Sequence, residues 1–405
     1  MPLLFAVLVA LLPQPDGLQS QLIFPLQRLH NHASCVVQCP NGDLLCCWYR
    51  GSGEREADDV RIMGARLHAG SQRWSAPFVM ADTAGFPDTN PCMIIDPGGR
   101  LHLFWNIILD HHWEHALLQQ EWSDDYQQRS GPPKWQWQQN VLTRPGPRFQ
   151  AAVAAHLDAQ WAPYRAAADA RDKARIDTYL AEHHAMAGNM LSRRLGWMGR
   201  AHPFVANRKR LIVPLYSDGF DFSMMAISDD WGLTWHNSEP LVGPGGVQPA
   251  IAERKDGTLV AFMRDNGPPP QRIQMSESKD DGETWTLPRD ISLPNPGSGL
   301  DVVVLKSGRW LLVGNDTQES RRRLAVWVSD DEGRTWPVMR HIENDTRATG
   351  AGSYSYPSII QERDGQIDVT YSYAPGIDQA TGKPAGESIK HVRLTEAWLL
   401  QKHEP

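Results

Sequence analysis

Three eight-residue stretches in the second half of the chain follow one pattern: Ser228–Trp235 (SDDWGLTW), Ser278–Trp285 (SKDDGETW) and Ser329–Trp336 (SDDEGRTW). Each reads S-x-D-x-G-x-T-W, and neighbours start about 50 residues apart. That interval is the length of one four-stranded propeller blade. The residue types suit a tight turn between two outer strands. Ser and Asp side chains bond backbone N–H groups, Gly permits a positive φ, and Trp fills the gap to the next blade. One copy would constrain little, but three in register point to a radial repeat.

A second repeat runs independently of the first. A polar residue, often with Pro, leads into an apolar run, a turn that usually holds Gly, and a second apolar run. The copies are His32–Trp48, Asn90–Trp105, His202–Tyr216, Gln248–Met263, Gly299–Gly314 and Tyr356–Tyr371. Each reads as the hairpin of a blade's two inner strands. Pro fits a strand start, where the residue need not donate to the ladder. Six copies predict an all-β, six-bladed β-propeller over residues 21–405. The spacing breaks between the second and third copies. Residues 148–194 are rich in Ala, Arg and His and poor in β-branched residues, so they read as a helical insertion. The insertion either overhangs the ligand-binding face or buttresses its rim.

A net charge of −7 leaves no general attraction to nucleic acid or anionic membrane. The apolar run Leu3–Leu12 is too short to cross a bilayer as a lone helix. It reads as the core of a signal peptide over residues 1–20, with an apolar first strand as the other reading. The expected location is secreted or periplasmic, and no second run is long enough for a membrane span. Cys35, Cys39, Cys46, Cys47 and Cys92 lack the paired spacing of a zinc site, so no metal or other cofactor is expected. They read as buried thiols, with one disulfide between adjacent strands left open.

In a propeller, inner strands start at the central mouth and second strands return to it. The first residues of each hairpin, and those just past its end, should therefore line one pocket. The starts supply His32, Asn90, Arg200, His202, Gln248, Asp301 and Tyr356. The ends supply Arg50, Asn106, Asp218, Arg264, Asp265, Asn315 and Asp316. Any one of these could simply close a blade by a hydrogen bond. Together, a convergent ring of Arg, His, Asp and Tyr has the composition of a site.

With these features the chain resembles the sialidase superfamily, in its bacterial sialidase-like branch, from about Leu22 to the C-terminus apart from the insertion. The repeated turns look like that family's Asp-boxes, which carry architecture and lie opposite the pocket. The resemblance implies a nucleophilic tyrosine at the start of the last blade. Tyr356, in Tyr356-Pro357-Ser358 with Asp364-Gly365 at the next turn, matches it; Tyr354 would face the same side. A neutral nucleophile avoids repulsion from an anionic substrate if a base takes its proton. The family's acid/base is an Asp on the loop after the first blade's second strand. Here that loop is Gly51–Val60 (GSGEREADDV), which offers Asp59 with Asp58 beside it. Adjacent acids raise each other's pKa, which suits a proton donor; a loop cap or solvated pair is the plainer role. The resemblance also implies three arginines on the substrate carboxylate. Arg264 matches one, and Arg50 and Arg200 are the others that geometry brings to the mouth. A planar guanidinium pairs two-to-two with a carboxylate.

The chain departs from the family pattern twice. The first-blade Arg-Ile-Pro signature is absent, with Arg28-Leu29-His30 standing nearby, and Gln248 occupies the position of the Glu that activates the tyrosine. Glutamine cannot accept that proton, so Asp301 or His202 is expected to substitute, or the chemistry differs. The expected function is an exo-acting glycoside hydrolase that removes a terminal, acidic sugar from a glycan. Asp59 would protonate the leaving oxygen and Tyr356 would attack. His32, His202, Gln248 and Asn90 would line the sugar site with the arginines. Two rivals stand beside it. One is a polysaccharide lyase on uronic-acid chains, with His32, His202 and Tyr356 as base and acid. The other is a non-catalytic glycan-binding propeller, supported by the loss of Glu at Gln248.

Overall fold

The computed structural model describes residues 17–401 apart from Arg208, so the apolar run Leu3–Leu12 lies outside the described residues. Six antiparallel sheets form the blades of a propeller. The first blade is His30–Gln38, Leu44–Gly51, Arg61–Leu67 and Phe78–Ala81. The second is Asp88–Ile95, Leu101–Ile108, Ala116–Ser123 and Trp137–Asn140. In the third, the short inner strands Met198–Gly199 and Phe204–Ala206 both pair with Arg210–Ser217, followed by Phe222–Ser228 and His236–Asn237. The fourth runs Gly246–Glu253, Leu259–Asp265, Arg272–Ser278 and Arg289–Pro294, and the fifth Asp301–Val304, Trp310–Gly314, Arg323–Ser329 and Val338–Asn344.

The sixth blade holds Ser353–Gln361, Ile367–Ala374 and Ser388–Leu394, and its outer strand comes from the other end of the chain. Leu18–Leu22 pairs with Ser388–Leu394, with Leu18 opposite Leu394 and Leu22 opposite Lys390. The ring is thus closed by hydrogen bonds between segments from opposite ends of the chain. Residue 20, the end of the expected leader, lies inside this strand.

The S-x-D-x-G-x-T-W turns are self-bonded. Ser228 Oγ donates to Asp230 Oδ1 at 2.8 Å and accepts from the Gly232 N–H at 2.7 Å. Asp230 accepts from the Thr234 N–H and Oγ1 at 2.8 and 2.6 Å. Ser278 and Ser329 repeat the arrangement with Asp280 and Asp331. The tryptophans reach the preceding blade: Trp235 Nε1 donates to Gln120 Oε1 at 3.2 Å, and Trp336 packs on Phe262 with centroids 5.6 Å apart.

Three helices, α1 (Pro147–Ala167), α2 (Ala170–Gly188) and α3 (Met190–Arg194), stand between the second and third blades. Phe149 of α1 packs on Phe220, 5.2 Å between ring centroids, and Phe220 lies on the turn that carries Asp218. The insertion therefore braces one wall of the central mouth. None of the described helices is long and apolar enough to cross a membrane. All five cysteines are buried and free.

Candidate active site

The inner strands of four blades begin with the same irregularity. At Ala33, Asn90, Gln248 and Tyr356 the backbone φ is positive, at 54°, 46°, 55° and 52°. At each the ladder skips register, between His32 and Cys35, Thr89 and Cys92, Val247 and Ala250, and Ser355 and Ser358. Such bulges re-aim a side chain and sharpen the twist. Pro91, Pro249 and Pro357 follow, where the ladder is already broken and no N–H is needed. A positive φ is uncommon for Gln and Tyr, so these side chains are aimed at the axis against a backbone preference.

They open on a cavity of about 320 Å³, at the small end for a ligand site. Tyr356 is at its centre, and the phenol oxygen accepts from two sides. Arg264 Nη1 is 2.7 Å from Tyr356 Oη, and Gln248 Nε2 is 3.3 Å from it. Arg264 Nη1 also faces Gln248 Oε1 at 3.4 Å, and Arg264 Nη2 donates to Asn266 Oδ1 at 2.6 Å. The guanidinium groups of Arg200 and Arg321 lie 5.0 and 5.3 Å from the centroid of the Tyr356 ring. Burial favours the neutral phenol, but Arg264 and Arg321 outweigh it and bring Tyr356 below the ordinary tyrosine value. The His32 ring is 4.2 Å from that of Tyr356. Burial, then the neighbouring His30 and arginines, push His32 well below its usual value, so it is a neutral imidazole at pH 7.

Two carboxyls face the same cavity, Glu54 and Asp218. Glu54 accepts from the Tyr49 hydroxyl at 2.6 Å. Asp218 has no hydrogen-bond partner among the described residues, and burial pushes its carboxyl up to about 6 against the pull of Arg264. Asn90 Nδ2 donates to Tyr216 Oη at 3.1 Å, and Trp113 completes the wall. The arrangement places an arginine-held phenol, a carboxyl that keeps its proton to mildly acid pH and a second acid around a volume that fits one sugar ring.

The BNR repeat-like domain family matches residues 42–157 and 159–369. The chain belongs to this family, within the sialidase superfamily. It is similar to the sialidase of Micromonospora viridifaciens, 29% identical over 184 residues that make up 42% of this chain and 25% of that protein. The sialidase of Clostridium perfringens is 30% identical over 161 residues, 35% of this chain and 41% of its own length. The matched stretch thus spans less than half of either relative. Among solved structures, the intramolecular trans-sialidase from Ruminococcus gnavus matches with a TM-score of 0.66 at 13% identity, over 92% of this chain and 96% of that one. At such identity the likeness concerns the fold, a six-bladed sialidase propeller.

The cavity gathers only part of the residues expected from the sequence. His32, Asn90, Gln248, Arg264 and Tyr356 line the cavity. Asp59 and Asp58 do not. Asp59 Oδ1 is 2.9 Å from both the N–H and Oγ of Ser52, and Asp58 pairs with His111 at 2.8 Å; both are exposed. The base of their loop is pinched shut, since a methyl on Gly51 would lie 2.5 Å from Val60 Cγ2. Residues at the base follow the strands away from the axis, and Glu54 near the apex reaches over the mouth. Arg200 is buried beneath Tyr356, with Nη1 and Nη2 donating to the carbonyls of Leu300 and Pro357 at 2.8 and 2.7 Å. It supports the tyrosine's backbone and is not free to grip a ligand with its fork. Arg50 stands outside the cavity, opposite Arg61 across the first blade. Tyr354 packs on Tyr373 away from the mouth.

His202 and Asp301, the expected substitutes for the missing base, are committed to each other. His202 Nδ1 is 2.7 Å from Asp301 Oδ2, and Nε2 is 2.9 Å from the Val36 carbonyl. With an acceptor at each nitrogen the ring is an imidazolium. Cys35 and Asp301 hold it well above its usual value in spite of burial. The pair bolts the third blade to the fifth and first. Trp113, Tyr216, Asn266 and Arg321 were not singled out from sequence, and Glu54 was one acid of the Gly51–Val60 loop without a role of its own. Asn266 lies two residues past Arg264, and Arg321 is hidden in the run Arg321-Arg322-Arg323.

Proposed function

We propose that the protein is an exo-acting glycoside hydrolase that removes a terminal sugar acid from a glycan, working outside the cytoplasm behind a leader that includes Leu3–Leu12. One observation carries the catalytic reading: the phenol oxygen of Tyr356 receives two donors, one of them a guanidinium, in a cavity shared with two acids. Tyr356 attacks the anomeric carbon as an arginine-stabilised phenolate, which removes the need for a carboxylate base at Gln248. The Oη–carbon bond forms as the glycosidic bond breaks, and Asp218 gives its proton to the leaving oxygen. Asp218, now ionised, takes a proton from water as that water releases the sugar and restores the phenolate. The charge of Glu54 stabilises the oxocarbenium-like transition state. Arg264 and Arg321 both line the cavity, and their guanidinium groups hold the sugar's carboxylate.

The test is a panel of aryl glycosides of sialic, uronic and neutral sugars, with wild type and Tyr356→Phe. Release from an acidic member, lost in Tyr356→Phe, is the expected result. Release from neutral members only, or an undiminished Tyr356→Phe, overturns the assignment. The same phenolate also favours a second reading, a uronate lyase in which Tyr356 removes the proton next to the carboxylate while arginines neutralise it. An unsaturated, ultraviolet-absorbing product from a uronic-acid chain would select that reading. Secretion is checked by N-terminal sequencing of protein from the culture medium; intracellular protein retaining Met1 refutes it.

A further inference from the structure

Outside the catalytic cavity, a second cluster of reactive side chains sits on the loop joining Leu101–Ile108 to Ala116–Ser123 of the second blade. Asp110, His112 and His115 each offer a ligand atom, and these atoms all lie within 4.8 Å of one another. Both rings face one carboxylate. His115 Nδ1 is 2.7 Å from Asp110 Oδ2, and His112 Nδ1 is 3.4 Å from Asp110 Oδ1. The local fold explains the convergence. The loop ends in a 3-10 turn, Trp113–His115. His112 caps that turn, its carbonyl accepting from the His115 N–H at 3.1 Å, which brings the two tilted rings together with centroids 5.9 Å apart. His111, at a φ of 67°, bends the chain so that Asp110 meets them, while its own ring turns away to Asp58. All three candidate ligands are exposed, and none lines the cavity.

We propose that Asp110, His112 and His115 bind a divalent transition-metal ion of the zinc, cobalt or nickel kind. Two imidazoles and a carboxylate are the nitrogen–oxygen set those ions favour, whereas magnesium and calcium take all-oxygen sets. The ion takes the place of the hydrogen bonds that the two rings now make to Asp110, His115 Nδ1 with the carboxylate and His112 Nδ1 with the backbone carbonyl at 2.9 Å, and water fills the remaining positions. Trp113 sits between the two histidines in sequence but belongs to the cavity wall, with Arg55 over its ring at 5.5 Å. An ion on the outer side fixes the turn that carries Trp113, so the rim is tied down from outside. Binding of the ion does not depend on the catalytic reading.

The experiment uses the whole protein without a histidine tag, stripped with a chelator. Cobalt(II) is titrated by its visible absorption and zinc(II) by calorimetry. Wild type is compared with Asp110→Asn and with the double variant His112→Ala/His115→Ala. One ion per chain is expected in wild type, at least tenfold weaker binding in Asp110→Asn, and no saturable binding in the double variant. Magnesium in excess should not compete. The substituted residues are exposed, and far-ultraviolet circular dichroism checks that each variant keeps the fold. Wild type without saturable binding overturns the proposal, as does a double variant that binds as tightly as wild type.

Discussion

Gln248→Glu puts the charge balance of the cavity to a direct test. The substitution keeps the shape and places a carboxylate oxygen where Gln248 Nε2 now donates, 3.3 Å from Tyr356 Oη. Arg264 Nη1, 3.4 Å from the present amide oxygen, holds the new carboxylate ionised. Two negative charges at that separation repel by about 5 kcal/mol at an effective dielectric constant of about 20. At about 1.4 kcal/mol per pH unit, the Tyr356 titration moves up by about three to four units. The lost amide donation acts in the same direction. The assay is phenolate absorption against pH, each protein measured as a difference from its Tyr356→Phe counterpart. Wild type should show a tyrosine ionising below the ordinary range, and Gln248→Glu one ionising well above it. On a glycoside the wild type cleaves, turnover at neutral pH should fall by about a hundredfold, as for loss of a preorganised donor. An unmoved titration, or faster turnover, would refute the reasoning. Either would mean that Tyr356 works through a carboxylate base, as the family pattern at this position implies.

Asp218 links activity to stability. Its carboxyl titrates near 6 in the folded protein and near 3.9 when unfolded. Its favourable contribution is therefore complete below about pH 4 and lost as pH rises through 6, leaving a cost of at most about 3 kcal/mol at pH 7. Asp218→Asn should raise the melting temperature at pH 7 while lowering turnover by about 10²-fold or more, checked by calorimetry and initial rates. A variant no more stable and fully active would contradict this. Asp301→Ala leaves the His202 imidazolium buried without its partner and should cost about 3–5 kcal/mol in urea unfolding; a loss near zero would remove the bolt between blades. Gly282→Ala forces a side chain onto a φ of 89° and a methyl to 2.9 Å from Ile212 Cδ1. A loss of about 1–3 kcal/mol is expected, read as a lower urea midpoint.

The six-bladed propeller was legible because two local signatures repeat, the inner hairpin in all six blades and the self-bonded Ser-Asp-Gly-Thr turn in three of them. Neither needs long-range information. Asn90, Gln248 and Tyr356 were legible for a similar reason: one bulge recurs at the same point of four blades and aims whichever side chain stands there at the axis. The acids on Gly51–Val60 were not, because a ten-residue loop has no period to say which residue reaches inward. Its pinched base turns Asp59 onto Ser52 and lets Glu54 lean over the mouth. The roles of Arg200, His202 and Asp301 were equally hidden. All three lie at strand starts, yet their partners are Leu300, Pro357, Val36 and Ile359, which belong to other parts of the chain. Such pairings depend on distance across the axis, and no spacing along the sequence reports it. The closing strand Leu18–Leu22 escaped notice for the same reason, since its partner is more than 360 residues away.

The most direct test of the account is a structure of the Tyr356→Phe variant holding a glycoside that the wild type cleaves. The ring carboxylate should lie against Arg264 and Arg321, with the anomeric carbon facing position 356 and the glycosidic oxygen toward Asp218. A glycoside seated elsewhere, or one whose acid group points to solvent away from both arginines, would contradict it.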